Sequence, residues 1–443
     1  MKKKTAGSKK AAKGPDGITA ITVGGFKSIV EPTRIEIRPL TILAGANSSG
    51  KSSIMQPLLL LKQTLEASFD PGPLLLDGPN VRFTSVDQLL SKGTKGTITH
   101  TFHVGIETGD FSISFHFEKK RNKRGFIIQR LEYVSEDNKI VVRPDMKIEE
   151  TLSLVPQKLR KIYEDLKQNE KKTPKWSIAR NRFFLGIILA SENKKGAVSP
   201  LAILAPDRII EPYISRLIHL PGLRGNPERA YPSAVFMTSF PGTFEHYAAS
   251  VIANWEEVRD DKLSQLATWL ETLGLTWGIE AKYIDDTRIE LRVGRSPKRT
   301  RASRKDMVSL ADVGFGVSQV LPVLVALLEA EPGQMVYLEQ PEIHLHPRAK
   351  KAMAQILVEA AKRGVRIVAE THSSLLLRGI QTLVAKGEID PEMIKLHWFQ
   401  RNHDDGMTTV TSADMKKDGA VGDWPVDFTN VIIETENEYL NAS

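Results

Sequence analysis

The sequence predicts an α/β fold in which a parallel core sheet is joined to an antiparallel β lobe and a small helical insertion. Three apolar runs indicate the parallel strands, 40–44, 335–338 and 365–369, and the first two are each followed by a helical pattern. Residues 97–142 instead alternate apolar and polar side chains with a period of two. That alternation is typical of an antiparallel meander with one buried face.

The length of 443 residues is too great for one ordinary core and suggests several units. We expect the boundaries to follow the changes of pattern along the chain. The predicted parts are a disordered basic tail over 1–17, a first lobe with the glycine loop and the meander over 18–143, a mainly helical insertion over 144–210, a second lobe over 211–392 and a short C-terminal region over 393–443.

Composition places the chain among soluble globular proteins, with 41% hydrophobic and 26% charged residues. No apolar run approaches the ~20 residues that span a bilayer, and the N-terminus lacks the apolar segment of a secretory signal. The absence of cysteine excludes disulfides and thiolate metal sites. We therefore expect a cytoplasmic protein without a membrane partner.

Basic residues are concentrated in the N-terminal tail and in two predicted loop tips, Lys119–Arg124 and Arg295–Lys305. The net charge of +8 permits an acidic partner without identifying one. Neither loop cluster contains aromatic side chains for base stacking. Contact with DNA or RNA and a purely solubilising tail remain two open interpretations.

The strongest functional signal is the stretch Gly45-Ala-Asn-Ser-Ser-Gly-Lys-Ser52 between a predicted strand and a predicted helix. It fits G-x-x-x-x-G-K-[ST], in which glycines let backbone N–H groups surround a phosphate. Lys51 would reach the β- and γ-phosphates, and the Ser52 hydroxyl would bind Mg²⁺. The predicted nucleotide-binding residues of this loop are Gly45, Asn47, Ser48, Ser49, Gly50, Lys51, Ser52 and Ser53.

Further along the chain, polar residues follow predicted elements in a fixed order. A helix begins near Gly314-Phe-Gly-Val-Ser-Gln319, Glu339 ends an apolar strand, and His372 follows the next strand. Ligands of parallel α/β sheets bind at the carboxyl ends of the strands. Taken singly, Glu339 could be a surface acid and His372 a hydrogen-bonded core histidine.

The ordered set resembles the head domains of ATP-binding-cassette (ABC) and SMC-type proteins. It is most similar to the overcoming-lysogenisation-defect (OLD) branch of prokaryotic P-loop AAA ATPases. The segments that carry this closer resemblance are Gly25-Phe-Lys-Ser28, His219–Arg229, Gln340-Pro-Glu-Ile-His-Leu-His-Pro347 and Gly422–Phe428. The resemblance implies an ABC/SMC-like P-loop ATPase head that uses ATP and Mg²⁺.

The resemblance also implies a composite site. One head would supply the phosphate loop, Glu339 and His372, with Ser52 and Glu339 on the metal side. A second copy would supply Gly316, Ser318 and Gln319 to the same nucleotide, so a homo-oligomer is expected. The class further implies control of a separate effector such as a nuclease, in anti-phage defence or DNA metabolism.

One position departs from the family pattern, in which two consecutive acids end the strand. Here Glu339 is followed by Gln340, whose amide orients water but does not accept a proton at neutral pH. The predicted catalytic residues are thus Glu339, Gln340 and His372. Three alternatives remain for how ATP is hydrolysed without the second acid: hydrolysis is slow, Glu342 acts as the base, or Gln340 only positions the water. For the glutamine that coordinates Mg²⁺ in relatives, the candidates are Gln63 and Gln88.

Two other functions are alternatives to an ATPase head that controls an effector. The amide at Gln340 keeps open an ATP-bound scaffold that hydrolyses slowly or not at all. A transporter cassette is less favoured, because Gly314-Phe-Gly-Val-Ser-Gln319 differs from the Leu-Ser-Gly-Gly-Gln of transporters. After His372 we find no cluster of acids on alternating strand ends, and we expect the ATPase without the C-terminal nuclease domain of some OLD-type proteins.

Overall fold

The computed structural model describes residues 17–93, 98–121, 124–157, 159–161, 164, 175–192, 198–234, 239–297, 306–422 and 438. The predicted basic tail lies outside these residues except for Gly17. Most of the second basic cluster and the tail motif beyond Gly422 also lie outside them. The first basic cluster falls between two strands of the meander, as expected.

The described residues form nineteen strands and eight α-helices, numbered here in chain order. The strands are β1 (20–24), β2 (33–36), β3 (40–45), β4 (101–107), β5 (111–119), β6 (126–135), β7 (139–142), β8 (175–181), β9 (184–192), β10 (198–204), β11 (218–220), β12 (231–232), β13 (279–285), β14 (288–294), β15 (307–309), β16 (335–339), β17 (366–371), β18 (394–401) and β19 (408–413). The helices are α1 (51–66), α2 (148–154), α3 (207–215), α4 (248–258), α5 (261–272), α6 (315–329), α7 (347–362) and α8 (374–385). Over the described ranges, no helix is long and apolar enough to cross a membrane.

A six-stranded core sheet has the order β11-β16-β17-β3-β18-β19. Its first five strands are parallel, and β19 is an antiparallel edge strand. β3 comes from the first predicted lobe, whereas its neighbours β17 and β18 come from the second lobe and the C-terminal region. The sheet thus joins distant parts of the chain around the strand that precedes the phosphate loop.

Helices and strands cover the core sheet on both faces, which explains the continuous apolar runs of its strands. Ile42 and Leu338 face the cluster formed with α6, α7 and α8. Leu43 and Tyr337 face the opposite cluster, which contains α1 and the meander. Side chains alternate between faces along a strand, so Glu339 and Glu370 both point to the α1 side.

The antiparallel lobe is a six-stranded sheet with the order β2-β1-β4-β5-β6-β7. Its buried face carries phenylalanine rings, among them Phe102 stacked on Phe117 with centroids 4.9 Å apart. The alternation in the sequence predicted this arrangement, and the α/β head with a parallel core sheet and an antiparallel lobe is confirmed.

The segment 144–210 is a correction to the expected mainly helical insertion. Its described residues form the short helices α2 and α3 and an antiparallel sheet of β8, β9 and β10. Trp176 and Ile178 on β8, and Ile187 and Leu189 on β9, alternate with a period of two and pack against α2. The strands β8 and β9 therefore follow from period-two alternation, and the segment is not mainly helical over its described residues.

Candidate nucleotide site

The phosphate loop joins β3 to α1 with the backbone geometry that its glycines allow. Gly45 has φ 148° and Gly50 has φ 101°. A Cβ atom would lie 2.2 Å from the Phe399 carbonyl oxygen at Gly45 and 2.4 Å from the Thr408 Oγ1 at Gly50. Both positions therefore require glycine, and the helix that begins at Lys51 directs its N-terminal N–H groups toward the loop.

Lys51 is buried within the loop that it follows. Its Nζ donates to the carbonyl oxygens of Gly45 at 3.0 Å and Ala46 at 2.7 Å. Burial lowers the pKa of Lys51 to about 8. The Thr408 hydroxyl on β19 donates to the Ser49 carbonyl oxygen at 2.8 Å, which ties the loop to the C-terminal edge of the core sheet.

Ser52 contacts an acid that sequence reasoning did not select. The Ser52 Oγ donates to Oε2 of Glu370, at 2.9 Å. The hydroxyl of the fully buried Tyr337 donates to Oε1 of the same carboxylate. Burial, followed by the charge of Glu339, raises the pKa of Glu370 to about 7. The available signal was its place in the motif Glu370-Thr-His372 at the end of a predicted strand.

Glu339 is held by the segment that follows β11. Its Oε1 lies 3.2 Å from Nε2 of His219, and its Oε2 accepts the Gly222 backbone N–H at 3.1 Å. Burial acts to raise the pKa of Glu339, but the hydrogen bonds with His219 and Gly222 hold it below its ordinary value. The carboxylate is therefore charged at neutral pH and fixed in position.

One cleft brings together most of the predicted site residues. Its lining includes the phosphate loop from Asn47 to Ser53 together with Glu339, Gln340, Glu370 and His372. Burial, followed by the charge of Lys51, lowers the pKa of His372, so this imidazole is neutral at neutral pH. The cleft thus combines phosphate-binding N–H groups, a cation, two carboxylates and a neutral histidine.

Gln340 has a left-handed backbone conformation, with φ 47°. Its N–H donates to the Glu370 carbonyl oxygen at 2.9 Å, which fixes the turn after β16 beside β17. A non-glycine residue in this region is an uncommon, strained conformation that occurs often at functional sites. Gln340 lines the cleft, as the predicted water-positioning role requires.

Two alternatives raised by the sequence do not reach the cleft. Glu342 is buried and accepts the Thr371 hydroxyl, and burial raises its pKa. Gln63 is buried within the first lobe, where its amide donates to the carbonyl oxygens of Leu75 at 2.7 Å and Val81 at 3.2 Å. Gln88 does line the cleft and remains the candidate for the Mg²⁺ glutamine.

The start of α6 lies apart from the cleft of its own chain, since Gly316, Ser318 and Gln319 do not line it. The Ser318 hydroxyl donates to the Phe315 carbonyl oxygen at 3.1 Å, and the Phe315 side chain is 54% exposed. The Gln319 side-chain amide donates to the Gly225 carbonyl oxygen at 2.9 Å. Gly314 and Phe315 at the start of the helix are therefore presented outward and Gly316 is half-buried, whereas Ser318 and Gln319 are buried.

Arg224 connects the start of α6 to β16, the strand that ends at Glu339. Its guanidinium is buried and donates to the carbonyl oxygens of Gln319 at 3.0 Å and Glu339 at 2.9 Å. Burial lowers the pKa of Arg224 to about 10. Sequence reasoning noted this arginine-containing segment only as part of a family resemblance.

The donor set suits Mg²⁺ with a nucleotide. The Ser52 hydroxyl and the carboxylates of Glu370 and Glu339 are hard oxygen ligands at one edge of the sheet. Among the described residues, no group of three or more His, Cys, Asp and Glu side chains could hold a metal ion alone. Mg²⁺ commonly takes one or two carboxylates plus substrate phosphates, so these residues fit a shared site. Bound there, the ion would neutralise phosphate charge.

Two family models match the chain. Residues 17–194 match the model described as "AAA ATPase domain", and residues 284–378 match "AAA domain, putative AbiEii toxin, Type IV TA system". The first match contains the phosphate loop, and the second contains β16 and β17, which carry Glu339 and Glu370. Over these two ranges the chain is similar to AAA ATPase domains, which together with the phosphate loop between β3 and α1 supports an ATP-binding P-loop ATPase head. The similarity implies nucleotide binding, which in this class usually involves Mg²⁺.

Solved structures similar to this chain include SMC heads. An SMC head bound to the C-terminal winged-helix domain of ScpA is 13% identical, with 90% of this chain and 98% of that chain covered and a TM-score of 0.46. The SMC head domain from Thermotoga maritima is 13% identical, with 89% and 98% covered and a TM-score of 0.39. An SMC head with a coiled coil and joint from Pyrococcus yayanosii is 10% identical, with 95% and 100% covered and a TM-score of 0.47. No curated protein sequence is significantly similar to the chain.

Proposed function

We propose that this ATPase is an OLD-type head that pairs with a second copy across ATP and Mg²⁺ and thereby regulates a separate effector. The observation that carries the proposal is the division of the site residues. The phosphate loop, Glu339 and His372 line one cleft, whereas the start of α6 faces outward from it. A second copy could therefore place its α6 start against the nucleotide of the first.

The chemistry of the α6 start supports this arrangement. A helix N-terminus presents unpaired backbone N–H groups, which donate to anions such as a γ-phosphate. Gly314 and Phe315 are exposed there, so the N–H groups are accessible from outside the chain. Arg224 donates to the carbonyl oxygens of both Gln319 in α6 and Glu339 in β16. A movement of α6 at the interface would therefore displace the end of β16.

The effector is assigned by resemblance to the OLD branch. We place the chain in anti-phage defence or DNA metabolism, with nucleic-acid cleavage carried out by a separate nuclease rather than by this chain. ATP would act through population shift, because heads that close only around bound nucleotide present a different surface to the effector. Contact with DNA or RNA through the basic loop Lys119–Arg124 is a secondary part of the proposal.

An ATP-bound scaffold is the second candidate, and Gln340 is the observation that favours it. The amide at this position in the cleft does not accept a proton at neutral pH. Such a head would still bind ATP and pair, but would remain paired for long periods. Single-turnover hydrolysis by the paired protein separates the two functions, since a scaffold retains ATP after pairing.

Substitution at the α6 start tests the pairing. We expect Ser318→Arg, or Phe315→Arg at the more exposed neighbouring position, to weaken ATP-dependent pairing about tenfold or more, since an unpaired buried charge costs several kcal/mol. Molar mass by light scattering, with ATP and Mg²⁺, measures the pairing. Nucleotide affinity of the single head should remain, because neither residue lines its own cleft.

The matched control is Ser264→Arg on the exposed face of α5. It adds the same charge to a helix away from the cleft lining and should leave pairing unchanged. Normal pairing in both Ser318→Arg and Phe315→Arg would refute the composite site.

A further inference from the structure

Two carboxylates lie side by side at the edge of the core sheet that faces the phosphate loop. β16 and β17 are parallel neighbours, and their register places Glu339 directly beside Glu370. Side chains at paired positions of parallel strands point to the same face. Here that face is the α1 side, because Tyr337 and Val368, two residues earlier on each strand, belong to the α1 cluster.

The two acids differ in what they touch. Glu370 accepts the Ser52 hydroxyl at 2.9 Å, directly at the first turn of α1. Glu339 is held on the other side, by His219 at 3.2 Å and by the Gly222 N–H at 3.1 Å. Ser52 is the hydroxyl expected to bind Mg²⁺ in a loop of this sequence. The acid that contacts it is therefore on the metal side of the site.

We propose that Glu370 is a metal-side carboxylate of the nucleotide site, acting with Ser52 and with its in-register neighbour Glu339. The proposal rests on the proposed binding of ATP with Mg²⁺. In this proposal the second carboxylate of the site is Glu370, the neighbour of Glu339 on the adjacent strand β17. It is not the residue that follows Glu339 in the chain, which is Gln340. Two carboxylates and a hydroxyl beside the phosphates suit the coordination of Mg²⁺.

Tyr337 is the positioning residue for this carboxylate. Its buried hydroxyl donates to Oε1 of Glu370, while Oε2 accepts from Ser52. The two bonds fix the plane of the carboxylate and direct one oxygen toward the phosphate loop. Partners of this kind, which orient a metal-binding carboxylate, typically change metal affinity about 10- to 100-fold when they are removed.

Replacement by an amide of the same size is the direct test. Glu370→Gln keeps one of the two oxygens that accept from Ser52 and Tyr337, replaces the other with an NH₂ group that a hydroxyl oxygen can accept from, and removes the charge. The measurement is the affinity of Mn²⁺ for the complex of the full chain with a non-hydrolysable ATP analogue, followed by electron paramagnetic resonance. We expect about a tenfold or greater loss for Glu370→Gln and a smaller loss for Tyr337→Phe.

Two controls separate this proposal from the proposed function. Glu388→Gln makes the same chemical change at an exposed position after α8 and should leave Mn²⁺ affinity unchanged. Binding of the analogue in EDTA should persist in Glu370→Gln, because Lys51 and the loop are intact. The variant should also melt at or above the wild-type temperature without nucleotide, since it relieves repulsion with Glu339.

The outcomes are distinct. If Glu370→Gln binds the analogue and Mn²⁺ as the wild type does, while Glu339→Gln loses Mn²⁺ affinity, then Glu339 alone is the metal-side acid and the proposal is overturned. If the wild type binds no analogue in either condition, the proposed function itself fails. A loss in Glu370→Gln with retained binding in EDTA supports the proposal and leaves the proposed function intact.

Discussion

The ends of β16 and β17 carry similar acids in different surroundings. On β16, Glu339 is tied to the His219–Arg224 segment, which in turn contacts the start of α6. On β17, Glu370 is tied to Ser52 at the start of α1 and to Tyr337 beneath it. One acid thus contacts the segment that leads to the start of α6, and the other contacts the phosphate loop.

The difference teaches that a carboxylate's role in this cleft depends on sheet register as well as on its motif. Glu339 ends a strand in a motif that resembles a known family, yet its hydrogen bonds lead away from Ser52. Glu370 precedes a histidine in an ordinary strand end, yet it contacts the hydroxyl of the phosphate loop. If nucleotide binding is coupled to the proposed pairing with a second copy, the coupling would pass from Glu370 on β17 to its in-register neighbour Glu339 on β16.

Loss of the loop lysine should have the largest effect, because it removes the cation of the phosphate loop, whose charge also acts on Glu370. We expect Lys51→Ala to weaken nucleotide binding about 100-fold, since charge-assisted hydrogen bonds contribute about 1.5–3 kcal/mol each and tenfold corresponds to 1.4 kcal/mol. Isothermal titration with ATP and Mg²⁺ measures this loss. Lys386→Ala, at an exposed lysine after α8, is the matched control. Wild-type affinity in a folded Lys51→Ala protein would contradict the assignment of the loop.

Much of the fold could be predicted from the sequence, because local patterns specified it. The strand–loop–helix around Lys51 and the strand ending at Glu339 followed from apolar runs and glycine chemistry. The meander followed from strict alternation. In each case the signal lies within a few residues of the element that it predicts.

The rest depends on contacts between distant segments. Glu370 meets Ser52 because β17 pairs with β3, and no local pattern reports that pairing. The strands β8–β10 were missed because residues 144–210 were assigned as a whole to a mainly helical insertion. Arg224 acquires its role only when the segment after β11 folds over the end of β16.

Arg224 offers a way to disturb the β16 side alone. Arg224→Met keeps a long side chain but removes the guanidinium that donates to the carbonyl oxygens of Gln319 and Glu339. Unsatisfied buried acceptors cost about 1–3 kcal/mol, so we expect a loss of unfolding free energy of this size in urea. Mn²⁺ affinity with the bound ATP analogue should fall less than in Glu370→Gln, because the bonds of β17 are untouched.

Arg224→Lys sharpens the interpretation, since it keeps one donor and should recover part of the lost stability. Arg348→Met on the exposed surface of α7 is the matched control and should be close to neutral. Unchanged stability in Arg224→Met would mean that the two carbonyl contacts are not a structural link between α6 and the acid strand.

Gln340→Glu should have the smallest effect and test the chemistry between the two strand ends. The change restores the second consecutive acid and supplies a proton acceptor beside the cleft, in a backbone that is already left-handed for glutamine. A third carboxylate near Glu339 and Glu370 repels both, so the gain should be only about fivefold in the turnover of ATP, well below the roughly 100-fold that general-base catalysis supplies at least. Steady-state phosphate release by the full chain measures it, with Gln129→Glu at an exposed position of β6 as the control for the added charge. A lower rate in Gln340→Glu would show instead that the Gln340 amide positions the attacking water. The end of β17 would then supply metal-side charge through Glu370, and the end of β16 would orient the water.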